Sequence, residues 1–144
     1  MYTVYNLHMS VENCRNNLDD HALHSLNVAA AYWIGEGQEK GSNEGYSLYA
    51  LAEKVGAMFG QDNGEARVNT NIIDLMNTAK YDIVLKGECA STSSHGSFDA
   101  FVKLRIIVDD LVAQMTVPLI QNLIHYMHDT SNPFLTELYS LSSR

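Results

Sequence analysis

The sequence predicts an all-α fold, a four-helix up-down bundle with a short C-terminal helix, and three observations predict it. Four separate stretches carry apolar residues at threes, fours and sevens, the repeat of one helix face. Only two prolines, Pro118 and Pro133, interrupt the chain, which leaves room for long helices. No stretch alternates apolar and polar residues in the manner of a half-buried strand.

The first helix is expected from about residue 10 to 34. Val11, Leu18, Ala22, Leu26, Ala29 and Trp33 share one face; Ser10 stands where an N-cap belongs, and Gly35 and Gly37 follow as stops. Residues 35–45, GEGQEKGSNEG, set glycines among polar residues and read as a loop. The second helix is expected over 45–59 on the stripe Leu48, Leu51, Ala52, Val55 and Phe59, with Gly60 ending it. The third is expected over 65–80, facing inward through Val68, Ile72, Leu75, Met76 and Ala79. YDIVLKG at 81–87 either extends that helix or forms a short extended piece. Residues 87–97 are small and polar, a surface loop. The fourth helix is expected over 98–127, capped by Ser97 and buried through Phe98, Phe101, Val102, Leu111, Val112, Met115, Leu119 and Leu123; Pro118 predicts a kink in it. HDTSNP breaks the chain, and Pro133 opens the terminal helix PFLTELYSLSS. Residues 1–144 make one helical domain, either complete or one unit of a larger protein.

Hydrophobic residues make up 46% and charged residues 18%, a globular rather than a disordered balance. The net charge is −8 and the nine Lys and Arg are scattered, which argues against nucleic acid and suits cations or basic partners. No apolar run is long enough to cross a bilayer, and the opening MYTVYNLHMS lacks the basic and apolar blocks of a secretory signal. Cys14 and Cys89 are the only cysteines: one bridge, worth roughly 4 kcal/mol in the loop-entropy picture, or two buried thiols. The dinucleotide fingerprint, the P-loop, His-Glu-x-x-His, Cys-x-x-Cys, the nucleophile elbow and the paired Glu-x-x-His of di-iron bundles are all absent, so the chain reads as non-enzymatic.

The strongest candidate site is YWIGEGQ followed by GYSLYALAE. Tyr46, Tyr49 and Glu53 are spaced to share one helix edge, and Tyr32 ends the helix before the glycine loop. The expectation is that Tyr32, Tyr46 and Tyr49 converge where the two helices meet and that Glu53 adds a charged oxygen. Phenolate and carboxylate oxygens are hard donors suited to ferric iron; the alternative is a packed corner with each hydroxyl bonded to backbone or water. Gly35, Gly37, Gly41 and Gly45 either let the backbone approach an anion or merely let the loop turn. His21 and His24 beside Asp20, and His125 and His128 beside Asp129, have spacings that can share a metal, although such pairs are common on solvated helix faces. Asp109 and Asp110 are neighbours pointing about 100° apart and form no carboxylate pair.

AAAYWIGEGQ, then GYSLYALAEKVGAMFG, then GEARVNTNIIDLM resembles the repeat domain of the algal Fe-assimilating proteins, relatives of the phytotransferrins. The likeness covers about Leu18 to Ala79 and rests on Tyr32, Gly35, Gly45, Tyr46, Tyr49 and Asn69. It implies an extracellular or cell-surface helical domain of a photosynthetic alga, associated with ferric iron and accompanying carbonate. It also implies an oxidising setting, in which the even cysteine count favours a Cys14–Cys89 bridge. The chain departs from that family in holding one unit where the iron proteins typically carry two. A second expectation is a structural module that packs with copies of itself or with a larger complex.

Overall fold

A computed structural model describes residues 2–60, 65–89 and 96–142, with side chains over 2–60, 65–89 and 99–129. The all-α class holds: among the described residues there are α-helices and one π-helical segment but no strand. The helices are α1 (Tyr2–Arg15), α2 (Asp19–Ile34), α3 (Leu48–Met58), α4 (Arg67–Asn77), continued by the π-helical Thr78–Val84, and α5 (Gly96–Ser142).

The single helix expected over 10–34 is two. Asn17 takes a positive φ of 61°, the left-handed conformation that asparagine tolerates at the end of a helix. The Leu18 N–H returns to the Asn13 carbonyl at 2.9 Å and the Asn17 N–H to the Cys14 carbonyl at 3.0 Å, so the last carbonyls of α1 are satisfied as the chain reverses. Ser10 is accordingly no N-cap. It is buried inside α1, and its hydroxyl donates to the Leu7 carbonyl at 2.6 Å. The rings of Tyr2 and Tyr32 stack with centroids 5.5 Å apart, which sets the start of α1 beside the end of α2.

Helix α3 starts later than expected because Ser47 is its cap, accepting the Ala50 N–H on its hydroxyl at 3.0 Å. The first part of YDIVLKG extends the helix and the rest turns: the backbone widens to π geometry over Thr78–Val84, and the Leu85 N–H reaches the Lys80 carbonyl at 2.9 Å. The Lys80 ammonium donates to Asn27 Oδ1 of α2 at 3.0 Å, while Trp33 near the end of α2 meets Asn69 near the start of α4. Those two legs therefore run in opposite senses.

The break at HDTSNP is absent. Helix α5 runs for 47 residues through both Pro118 and Pro133, in place of a helix over 98–127 and a separate terminal one. A proline removes one N–H from the ladder, and the turns on either side can carry the helix past it. The expected Ser97 cap and the Phe98 contact lie outside the described side chains. The core gathers Leu7 and Val11 of α1, Leu26 and Trp33 of α2, Ile72 of α4 and Leu104, Val108 and Leu111 of α5. Cys14 and Cys89 are bridged across it, with their Cα atoms 4.9 Å apart.

Candidate functional site

The aromatic corner divides into a buried network and an outer groove. The network is built on α4. Asn69 is fully buried and accepts the Trp33 indole N–H on Oδ1 at 3.0 Å. Its amide nitrogen donates to the Tyr49 carbonyl at 3.0 Å and to Glu53 Oε1 at 2.7 Å. The other oxygen of Glu53 accepts the backbone N–H of Ala66 at 2.7 Å, just where α4 begins and its first N–H groups lack helical partners. Glu53 therefore holds the start of α4 against α3, with both carboxylate oxygens bonded.

Tyr49 is also buried. Its hydroxyl accepts the Gly41 N–H at 3.0 Å and donates to Glu65 Oε1 at 3.3 Å; Lys40 closes on the other oxygen of Glu65 at 3.2 Å. The glycine loop is thus tied down onto the α3–α4 corner. Burial pushes the Tyr49 hydroxyl above its ordinary pKa, and the Glu53 and Glu65 carboxylates push the same way against the opposing Gly41 hydrogen bond. A phenol whose folded pKa exceeds its unfolded value of about 10 favours the fold while neutral, so its contribution is complete below that pH and is lost as pH rises through the raised value. Wild-type stability is expected to fall more steeply above pH ~10 than that of Tyr49→Phe. Denaturant midpoints measured against pH check this, and parallel slopes for the two proteins would refute it.

The outer groove, about 710 Å³, is lined by Tyr32, Glu36, Gln38, Glu44, Tyr46 and Ser47 together with Gly35, Gly37 and Gly45. Gln38 organises it: its Oε1 accepts the Ser47 hydroxyl at 2.9 Å and its Nε2 donates to the Ser42 carbonyl at 2.8 Å. Gly35 is required here. Its φ is +82°, and a Cβ would sit 2.7 Å from that of Ser47.

The four residues expected to form one donor set therefore part. Tyr32 and Tyr46 are exposed at the groove, whereas Tyr49 and Glu53 turn inward and meet α4. Tyr46 precedes the Ser47 cap and lies outside α3, so of the expected edge only Tyr49 and Glu53 remain, and the start of α4 covers them. The groove carboxylates Glu36 and Glu44 escaped sequence reasoning; their signal was an acid on either side of the glycine run. Glu65 was missed as well, having no periodicity to mark it.

The histidine pairs stay on the surface. His21 and His24 are exposed on α2; His125 pairs with Asp129 at 3.2 Å and His128 approaches the same carboxylate at 3.8 Å. Among the described residues, no group of three or more His, Cys, Asp or Glu stands ready to hold a metal. Asp109 and Asp110 are both exposed, and Lys103 of the same helix lies 4.0 Å from Glu88.

The second half of α5 has a different character. Its inward side chains Ala100, Leu104, Val108, Leu111, Met115 and Pro118 are buried, and none of the described side chains after Pro118 is. Beyond it Ile120, Leu123 and Ile124 are 55%, 58% and 49% exposed. No described helix is long and apolar enough to cross a membrane. No protein-family model, curated protein or solved structure matches this chain.

Proposed function

We propose that this chain is a non-enzymatic helical module that works by assembly, docking other protein along the second half of α5. The carrying observation is the exposed apolar strip beyond Pro118, in which no Asp, Glu, Lys or Arg falls between Asp110 and Asp129. Contiguous exposed apolar surface marks interaction sites in soluble proteins. The supporting scaffold is an up-down arrangement of four legs: α1, α2, α4 with its π-helical extension, and α5. The stacking of Tyr2 on Tyr32, the Lys80–Asn27 bond and the Asn71–Gln114 bond of 3.4 Å support that arrangement. The disulfide is in keeping with an oxidising, extracellular or cell-surface setting.

In dilute solution, Ile120→Gln combined with Ile124→Gln is expected to leave helicity intact and stability within about 0.5 kcal/mol of wild type, because neither side chain belongs to the bundle core. Urea denaturation followed by circular dichroism checks this. A loss of about 2 kcal/mol or more would place the strip in the chain's own core and end the assembly reading.

A second reading is favoured by the groove, where the phenols of Tyr32 and Tyr46 stand with the carboxylates of Glu36 and Glu44 around one space. Four hard oxygen donors suit ferric iron with carbonate, the pairing implied by the likeness to the Fe-assimilating domains. Addition of ferric iron and bicarbonate is expected to produce a visible tyrosinate charge-transfer band that Tyr46→Phe weakens. A colourless protein would end this reading. Tyr49→Phe, which removes a hydroxyl already engaged by Gly41 and Glu65, is expected to leave the band in place.

A further inference from the structure

We propose that Tyr2 and Tyr32 form a modification site, where a peroxide-driven one-electron oxidation couples the two rings and staples the start of α1 to the end of α2. The inference rests on the stacked pair and is independent of both readings above. The rings are nearly parallel, 19° apart in plane, with centroids 5.5 Å from each other. That lies inside the range of roughly 4.5–7 Å at which aromatic rings are in contact. The pair is also accessible, Tyr2 being 69% exposed and Tyr32 53%. An exposed pair is open to an oxidising enzyme, and a contacting pair needs no collision with a second molecule.

The chemistry is that of phenols. A haem peroxidase charged with hydrogen peroxide removes one electron and one proton from each hydroxyl, leaving two phenoxyl radicals. The unpaired spin is shared between the oxygen and the ring carbons ortho and para to it. The para carbon already carries the side-chain Cβ, so the ortho carbons join. One carbon–carbon bond forms, one ortho C–H bond breaks on each ring, and those protons return to the phenolic oxygens. The two electrons and two protons withdrawn reduce the peroxide to two waters, and both hydroxyls survive.

Contact, rather than exposure, selects this pair. Tyr5 on α1 and Tyr46 at the groove are open to the same oxidant. Tyr2 and Tyr32, however, stand on two helices that pack together, so each ring meets the other at an effective concentration far above that of separate chains in dilute solution. The position of the bond gives it a consequence. The far end of α1 is already fastened, where Cys14 is bridged to Cys89 and the chain reverses through Asn17 into α2. A bond from Tyr2 to Tyr32 fastens the opposite end and closes a loop over both helices, restricting the unfolded chain as a disulfide does. Tyr32 also lines the outer groove, so the same bond fixes one of its walls.

Treatment of the intact, disulfide-bonded chain at high dilution with haem peroxidase and hydrogen peroxide tests the proposal. The expected product is a single chain with the blue emission of coupled phenols. After reduction and tryptic cleavage at Arg15 and Lys40, residues 1–15 should be found joined to residues 16–40 with the loss of two hydrogen atoms. Tyr2→Phe and Tyr32→Phe each keep a ring in the stack but remove a phenol, so each should lose that product, whereas Tyr5→Phe should couple like wild type. The coupled wild type should also unfold at a higher urea concentration than Tyr2→Phe treated in the same way. Absence of the joined segments, their persistence in Tyr2→Phe, or emission confined to covalent dimers overturns the proposal. A urea midpoint no higher than that of Tyr2→Phe overturns the stapling role.

Discussion

Asn69→Leu is expected to remove about 3–5 kcal/mol of stability, a large part of the 5–15 kcal/mol that holds an ordinary domain folded. Leucine keeps the branching of asparagine but is bulkier, so the lost hydrogen bonds dominate and some overpacking of the fully buried site adds to them. Three buried partners lose their bonds together: the Trp33 N–H, the Tyr49 carbonyl and Glu53 Oε1. Each buried polar group left alone costs about 1–3 kcal/mol, and more when it carries charge. Glu53 keeps its second bond to the Ala66 N–H, which limits the loss on that side. Urea denaturation measures the change, and the emission of Trp33, the only tryptophan, reports whether the indole has moved. A change under about 1 kcal/mol would mean that the network does not hold α2, α3 and α4 together.

Reduction of the Cys14–Cys89 bridge is expected to cost about 4–5 kcal/mol in the loop-entropy picture, because the bonded residues are 75 apart in sequence. The bridge joins the end of α1 to the segment that precedes α5. Both half-cystines are fully buried in the common core, so Cys14→Ser would add the burial of an unmatched hydroxyl. Reduction is therefore the cleaner measurement: denaturant midpoints with and without reductant, with thiols counted in the unfolded, non-reduced chain. Two free thiols in that count, or one midpoint for both states, would overturn the expectation.

The helical class was legible because a helix imprints its period on the chain wherever one face is buried. Asn69 entered the sequence reading only as part of a family likeness, and nothing in its spacing marked it as the centre of a network. The same limit applied to Tyr49 and Glu53. Their spacing placed them on one edge of α3, but whether that edge opens to a groove or lies under α4 depends on a helix more than ten residues away in the chain.

By itself the sequence determined the all-α class, the glycine loop after Trp33 and the approximate extents of α3 and α4, since each follows from local periodicity and from residues that break it. Tertiary structure alone decided three things. It split the first helix at Asn16–Asn17, where Leu18 continues the apolar repeat from Val11 and so conceals a reversal of direction. It turned Tyr49 and Glu53 inward while leaving Tyr32 and Tyr46 outside. It also buried one face of α5 as far as Pro118 and left Leu119, Ile120, Leu123 and Ile124 exposed after it. The physical reason is common to all three. Periodicity records that a face is apolar, but only the positions of the neighbouring helices decide what covers it and where the cover ends.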